Sequence, residues 1–243
     1  MARTAGIILI GNEILSGKVM DANASYLCRE LRALGVEVRR ISVIPDEVDV
    51  IASEVAAYSG AFDVVFTSGG VGPTHDDVTI EGVARALGVA VVRDPGLVRI
   101  IERLAKGRIN EARLKMAEVP EGAELIAAEE LTFPAVLVRN IYVLPGVPEI
   151  FRQKFQALRE RFRESPFHLN SVFVDMPEGT LADHLNDLLR RHPELMLGSY
   201  PEFSNPEYKV KVTIESKDRA YVERAVDDLL RQLPAAVIVR VER

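Results

Sequence analysis

The run Thr67-Ser68-Gly69-Gly70-Val71-Gly72-Pro73-Thr74-His75-Asp76-Asp77 holds the densest set of chemically useful groups in this chain. Its glycines Gly69, Gly70 and Gly72 let backbone N–H groups come close to an anion, and a helix opening just after it adds a favourable dipole. The hydroxyls of Thr67, Ser68 and Thr74 are candidate donors to phosphate oxygens. No lysine follows the glycines as in a P-loop, and the spacing is not G-x-G-x-x-G. A plain strand-to-helix turn would explain one glycine, but not three glycines with three hydroxyls and two carboxylates. The expected ligand carries a phosphate: a nucleotide or a pterin phosphate.

Asp76 and Asp77 beside such a ligand would repel it unless a cation mediates. Their hard oxygens, with His75 nearby, suit Mg²⁺ or Mn²⁺. Either aspartate could instead cap the helix beginning at Val78, and the expectation is that one caps while the other acts. His75 reads as a ligand, a proton carrier or a solvated loop residue. A second cluster, Gly11-Asn12-Glu13-Ile14-Leu15-Ser16-Gly17-Lys18, offers Asn12 and Glu13 to a ligand's polar groups and Lys18 to a phosphate. Alternatively it is an ordinary loop in which Asp21 or Asn23 caps the next helix. Asp46 alone would be a helix cap, but it follows a strand and so shares an edge with Asp77. Pro145-Gly146-Val147-Pro148-Glu149 makes a rigid turn able to close one side of a pocket.

The elements that must position these groups alternate. Apolar runs at 6–10, 36–43, 63–66 and 89–92 read as strands, and periodic segments at 22–34, 47–59, 78–87 and 95–106 as helices. Later strands are expected at 125–126, 135–139 and 141–144, followed by a helix to about residue 162. Strands apolar on both faces and separated by helices predict a mostly parallel sheet covered on both sides. Ligands of such sheets bind outside the carboxyl ends of the strands. Glu164-Ser165-Pro166 breaks the pattern, which places domains at 1–164 and 165–243. The second reads as strand 169–175, helix 180–191, strand 195–200, strand 208–216, helix 219–230 and strand 236–241. That βαββαβ order is a small α+β domain with two helices on one face of a sheet.

The 243 residues are 48% hydrophobic and carry 30 Lys+Arg against 36 Asp+Glu, a net charge of −6 that disfavours a general nucleic-acid role. The small domain lacks basic-aromatic clustering as well, and is expected to serve assembly or to act as a lid. Cys28 is the one cysteine, so no internal disulfide forms; inside a helical pattern with Leu27, Leu31 and Leu34 it reads as a small buried hydrophobe. No apolar run reaches spanning length, and Met1-Ala2-Arg3-Thr4 leads straight into a strand without a signal-peptide layout. The expected protein is cytoplasmic, makes no membrane contact and assembles as a dimer or trimer of itself.

Three quoted segments carry a resemblance: Ile44-Pro45-Asp46-Glu47, the run from Ser68 through Asp77-Val78-Thr79, and Leu144-Pro145-Gly146-Val147-Pro148. They resemble the molybdopterin-binding (MoaB/Mog-type) domain superfamily. With Gly11 to Gly17, Asp21-Ala22-Asn23, Leu27-Cys28-Arg29 and Leu34-Gly35-Val36, the chain is more similar to the N-terminal domain of the competence/damage-inducible protein A family. It is more similar still to that of animal-type bifunctional FAD synthases. Val138-Arg139-Asn140-Ile141-Tyr142, Leu197-Gly198-Ser199-Tyr200-Pro201 and Tyr208-Lys209-Val210-Lys211 extend the likeness over essentially the whole chain.

The resemblance implies a three-layer α/β/α domain and a metal-dependent pyrophosphohydrolase acting on FAD or ADP-ribose-like dinucleotides, with Mg²⁺, Mn²⁺ or Co²⁺. Asp46 and Asp77 match the catalytic carboxylates of the molybdopterin adenylyltransferases, which carry a basic residue where Asp76 stands. On this reading Asp76 and Asp77 hold the metal, and Gly69, Gly70 and Gly72 cradle the phosphates. Asp46 or Glu13 orients the water, while Asn12, Pro145 and Gly146 complete the ligand site. The alternatives are molybdopterin binding or adenylylation on the same loop, and a non-catalytic nucleotide sensor. The FAD-making and amidohydrolase domains of the two relatives have no counterpart here, so neither FAD synthesis nor deamidation is expected.

Overall fold

A computed structural model describes residues 3–105 and 109–243. Met1 and Ala2 at the expected start, and Lys106 at the expected end of one helix, lie outside the described residues. The chain divides into two compact units, Met1–Glu164 and Ser165–Arg243.

The first unit opens with β1 (Thr4–Ile10), the short α1 (Asn12–Leu15), α2 (Asn23–Ala33), β2 (Glu37–Ile44), α3 (Val48–Ala61) and β3 (Val64–Ser68). It continues with α4 (Thr79–Leu87), β4 (Val91–Arg93), α5 (Pro95–Ala105), α6 (Glu111–Lys115), β5 (Glu118–Pro120) and β6 (Glu124–Ile126). A hairpin of β7 (Ala135–Val138) and β8 (Ile141–Leu144), then α7 (Pro148–Leu158) and a turn of 3-10 helix (Arg159–Phe162), complete it. The main sheet has the order β2-β1-β3-β8-β7-β6. The first four strands run parallel, and β7 and β6 are antiparallel additions.

Strand alternation sends Ile7, Leu9 and Phe66 to one face and Ile8, Ile10 and Val65 to the other. The first set packs with Leu27 and Leu31 of α2 and with Phe151, Phe155 and Leu158 of α7. The second packs with Ile51, Val55 and Tyr58 of α3 and with Val83 and Leu87 of α4. Helices therefore cover both faces, giving three layers, as strands apolar on both faces require. Gly88 ends α4 in the left-handed conformation at φ 66.

Two local expectations differ from the structure. The run at 89–92 does not join the main sheet: β4 begins at Val91 and pairs antiparallel with β5. Its valines are 38% and 39% exposed, so it is a surface ribbon rather than a core strand. The strand expected to run to Arg139 stops at Val138, because Arg139 takes a positive φ of 53 in the two-residue turn before β8.

The second unit is β9 (His168–Val174), α8 (Glu178–Arg191), β10 (Met196–Pro201), β11 (Val210–Ser216), α9 (Arg219–Gln232) and β12 (Ile238–Glu242). Its sheet is wholly antiparallel in the order β10-β11-β9-β12. Val172, Val174, Val212 and Ile214 pack there against Leu181, Leu185 and Leu188 of α8 and Val222, Val226 and Leu229 of α9. Among the described residues no helix is long and apolar enough to cross a membrane.

Candidate functional site

The chain leaves β1 to form β2 on one side and returns to form β3 on the other, so the sheet reverses its winding at β1. Ligands of open α/β sheets sit in the crevice at such a reversal. The ends of β1, β2, β3 and β8 are in register, with Ile10 beside Ile44, Leu9 beside Ser68, and Ser68 beside Leu144. The residues that follow therefore share one edge: Gly11, Asn12 and Glu13; Asp46; residues 69–77; Pro145 and Gly146.

Close packing fixes the glycine loop. Gly69 has φ 108, and a methyl group on it would overlap the Ile10 carbonyl oxygen. Its N–H donates to Leu144 O at 3.2 Å, and its carbonyl accepts from the buried Thr79 hydroxyl at 2.8 Å. Gly146 lies directly against it. Asn23 adds a second tie, its Nδ2 donating to Ser68 Oγ at 3.0 Å and to Gly146 O at 2.8 Å. The cap of α2 comes from Asp21, whose carboxylate accepts from the N–H groups of Asn23 and Ala24.

Neither Asp76 nor Asp77 caps α4. Val78 occupies that position without a side-chain bond. Asp77 instead turns back into its own loop, where its carboxylate accepts from Thr74 N at 2.8 Å and from the Thr74 hydroxyl. Asp76 is exposed, with His75 3.9 Å away and almost fully solvated. The Thr74 hydroxyl holds the Asp76 carboxyl below its ordinary range. Asp46 does not cap α3 either; its Oδ2 accepts from Asn12 N at 2.8 Å, joining the ends of β1 and β2. Burial raises the Asp46 pKa. The Asn12 hydrogen bond opposes that rise, and the charges of Glu13, Asp76 and Asp77 add to it. These carboxylates are close enough to feel one another across three strand ends.

A cavity of about 940 Å³ opens beside them. Of the sequence candidates, Glu13, Gly69, Gly70, Gly72, Asp77, Pro145 and Gly146 line it, whereas Asn12, Asp46, Asp76 and Thr74 do not. Thr67 and Ser68, expected to donate to phosphate, are buried as the last two residues of β3. The Ser68 hydroxyl is engaged by Asn23, and the Thr67 hydroxyl is enclosed within the protein away from the cavity.

Two lysines that sequence reasoning did not single out also line the cavity. Lys115, at the end of α6, donates from Nζ to Thr74 O at 2.6 Å and so sits beside the acidic loop. Lys154 lies on the buried stripe of α7 with Phe151, Phe155 and Leu158. Its Nζ donates to Phe133 O at 3.0 Å and Pro134 O at 2.5 Å, and no carboxylate faces it among the described residues. The spacing 151, 154, 155, 158 is itself a signal: a lysine within an apolar helical stripe.

Burial lowers the Lys154 pKa from 10.5 to about 8. Below that pH the folded and unfolded chains both carry the charge, and the cost of burying it is present in full. As pH rises from about 8 towards 10.5, the folded protein gives up a proton that the unfolded chain keeps, so stability rises across that window. Denaturant titrations from pH 7 to 10.5 should show wild type gaining on the order of 3 kcal/mol relative to Lys154→Met. Parallel curves for the two proteins would contradict a buried ammonium.

Among the described residues, no group of three or more His, Cys, Asp or Glu side chains is placed to hold a metal ion. Asp77 and Glu13 are hard oxygen donors that line the cavity, and Asp46 feels the charges of Glu13, Asp76 and Asp77. Mg²⁺ in particular is commonly held by one or two carboxylates, with substrate phosphates and water completing its shell.

Both units are similar to known families. Residues 6–164 match the family described as "Probable molybdopterin binding domain", and residues 166–242 match "FAD synthase, middle domain". A protein of Archaeoglobus fulgidus is 39% identical over 220 residues, which cover 90% of this chain and 93% of that one. A "Probable FAD synthase" of Caenorhabditis elegans is 34% identical over 98% of this chain, which spans 51% of its length. The crystal structure of the protein CinA, of unknown function, from Thermoplasma acidophilum superposes with a TM-score of 0.62 at 31% identity. It covers 66% of this chain and 98% of its own.

Proposed function

We propose, from the premise that this chain belongs to the family of the probable molybdopterin binding domain, here joined to an FAD synthase middle domain, that it hydrolyses a dinucleotide pyrophosphate with the help of a divalent cation. FAD and ADP-ribose-like compounds are the substrate class, and two monophosphates are the products. The observation that carries this reading is the convergence of Glu13, Asp46, Asp76 and Asp77 on a glycine loop at the sheet's winding reversal.

In this scheme the backbone N–H groups of Gly69, Gly70 and Gly72 receive the phosphates, with Lys115 alongside. Asp77 and its neighbour Asp76 would hold Mg²⁺, Mn²⁺ or Co²⁺, which when bound neutralises charge on the phosphates. Asp46, whose affinity for protons is raised, or Glu13 beside it, orients a water and takes its proton as the oxygen attacks phosphorus. The bond to the bridging oxygen breaks, and that oxygen leaves on the other monophosphate.

The match of residues 6–164 favours a second reading, in which the same loop holds a pterin phosphate. One experiment separates the two. The protein is incubated with FAD and with ADP-ribose, and AMP release is followed with chelator present and after adding back Mg²⁺, Mn²⁺ or Co²⁺. Turnover abolished by chelator and restored by metal is the expected result. Full turnover in excess chelator would remove the cation from the scheme. A protein inert on every dinucleotide that retains a pterin phosphate tightly would establish the second reading.

A further inference from the structure

The cavity extends well beyond the acidic loop. Its edge runs from the end of β3, across Pro145 and Gly146 after β8, to Phe133 and Pro134, which precede β7. Because β7 is antiparallel to β8, the start of β7 lies at the same sheet edge as the end of β8. Two strand spacings, about 10 Å, separate the β3 end from the β7 end.

The two ends differ in chemistry. Over β3 lie the glycine loop, Glu13, Asp77 and Lys115. At the β7 end, Leu97, Met116, Phe133 and Val136 line the cavity and belong to one apolar cluster. Glu118 and Gln153 line the same cavity, and the buried charged group beside Phe133 and Pro134 is Lys154. Two of its N–H bonds are spent on the carbonyls of Phe133 and Pro134, and the third has no acceptor among the described residues. A buried ammonium in an apolar wall gains from an acceptor brought by a ligand, since a buried donor left unpaired is costly. At about 940 Å³ the cavity is near the top of the range for ligand pockets and has room for more than one mononucleotide.

We infer that the β7 end is a subsite for the flavin ring of a flavin dinucleotide, with Lys154 Nζ donating to a carbonyl oxygen on the ring's edge. This inference rests on the dinucleotide reading above for the placement of the phosphates. A flavin is planar, apolar on its faces, and carries carbonyl acceptors along one edge, and its ribityl chain spans the gap from the phosphates to the ring. ADP-ribose offers only a ribose in that direction, so Lys154 determines specificity between the two substrates.

The test uses the full chain and two probes, FMN and AMP, with wild type and Lys154→Met compared. FMN binding is read by quenching of flavin fluorescence and AMP binding by calorimetry, so neither depends on turnover. Wild type is expected to quench FMN fluorescence, and Lys154→Met to weaken FMN binding about tenfold or more, as loss of a charged hydrogen bond does, with AMP binding unchanged. The KM for FAD should rise in the variant while that for ADP-ribose stays put. Equal FMN affinity in the two proteins would overturn the subsite, as would wild type that leaves FMN fluorescence unquenched. If the variant does not fold, the wild-type quenching and its FAD-to-ADP-ribose KM ratio decide alone; a ratio near one overturns the inference. FMN bound through Lys154 by a protein that cleaves no dinucleotide would support the subsite and sink only the hydrolytic reading.

Discussion

Asp77→Asn is expected to slow AMP release from FAD by a factor of about a hundred or more while leaving the melting curve in place. The separation follows from where Asp77 sits. Its carboxylate accepts from the N–H and hydroxyl of Thr74, and an asparagine oxygen of the same reach can do likewise. The start of α4 does not depend on it: Val78 is the cap position, and Thr79 fastens the helix to the loop through Gly69 O and Gly70 O. What asparagine lacks is the charge at the cavity wall, and with it the means to hold a cation against a phosphate. The measurement is AMP release from FAD and from ADP-ribose, with thermal melts of both proteins. A variant that hydrolyses normally would reduce Asp77 to a clasp for its loop, and so would one that melts far lower.

The sequence makes this edge legible for a definite reason. Ile7 to Ile10 and Val64 to Phe66 are apolar on both faces, which only a strand covered by helices can satisfy, and such a strand must hand its next residues to the carboxyl edge. That rule puts Glu13, Asp46 and Asp77 at one edge, where the ends of β1, β2 and β3 stand in register. The rule is coarse, however, about which way a side chain turns. Thr67 and Ser68 still belong to β3, where alternation buries both hydroxyls, so their apparent suitability as phosphate donors did not translate into a place on the cavity wall.

Capping preference misled in the same way. Asp46, Asp76 and Asp77 are good caps in isolation, yet each is engaged elsewhere, by Asn12 N or by the 74–77 loop. Short edge elements escaped altogether. β5 is Glu-Val-Pro, which has neither length nor alternation, and it exists because β4 pairs with it. Lys115 reaches Thr74 across 41 residues of sequence, a contact with no local signature. Lys154 did leave one, a lysine on the apolar stripe of α7.

Gly69→Ala should be the most damaging small substitution in the loop, costing on the order of 3 kcal/mol and abolishing ligand retention. Two effects add. At φ 108 the backbone is in a region that side chains rarely adopt, and the new methyl would overlap the Ile10 carbonyl oxygen. Relief by moving the loop is blocked on three sides. Gly69 N is bonded to Leu144 O, Gly69 O accepts from Thr79, and Gly146 closes the space opposite. The strain must therefore distort the N–H groups assigned to the phosphates, so binding falls even where the fold survives. Gly60→Ala supplies the contrast. Gly60 lies in α3, and a methyl there meets nothing within 4 Å, so alanine should be neutral or stabilising by about 0.5–1 kcal/mol. Denaturant unfolding of both variants, with AMP release from FAD, distinguishes the cases. A Gly69→Ala protein of wild-type stability and turnover would mean that this loop adapts to a side chain, and the phosphates would have to be seated elsewhere.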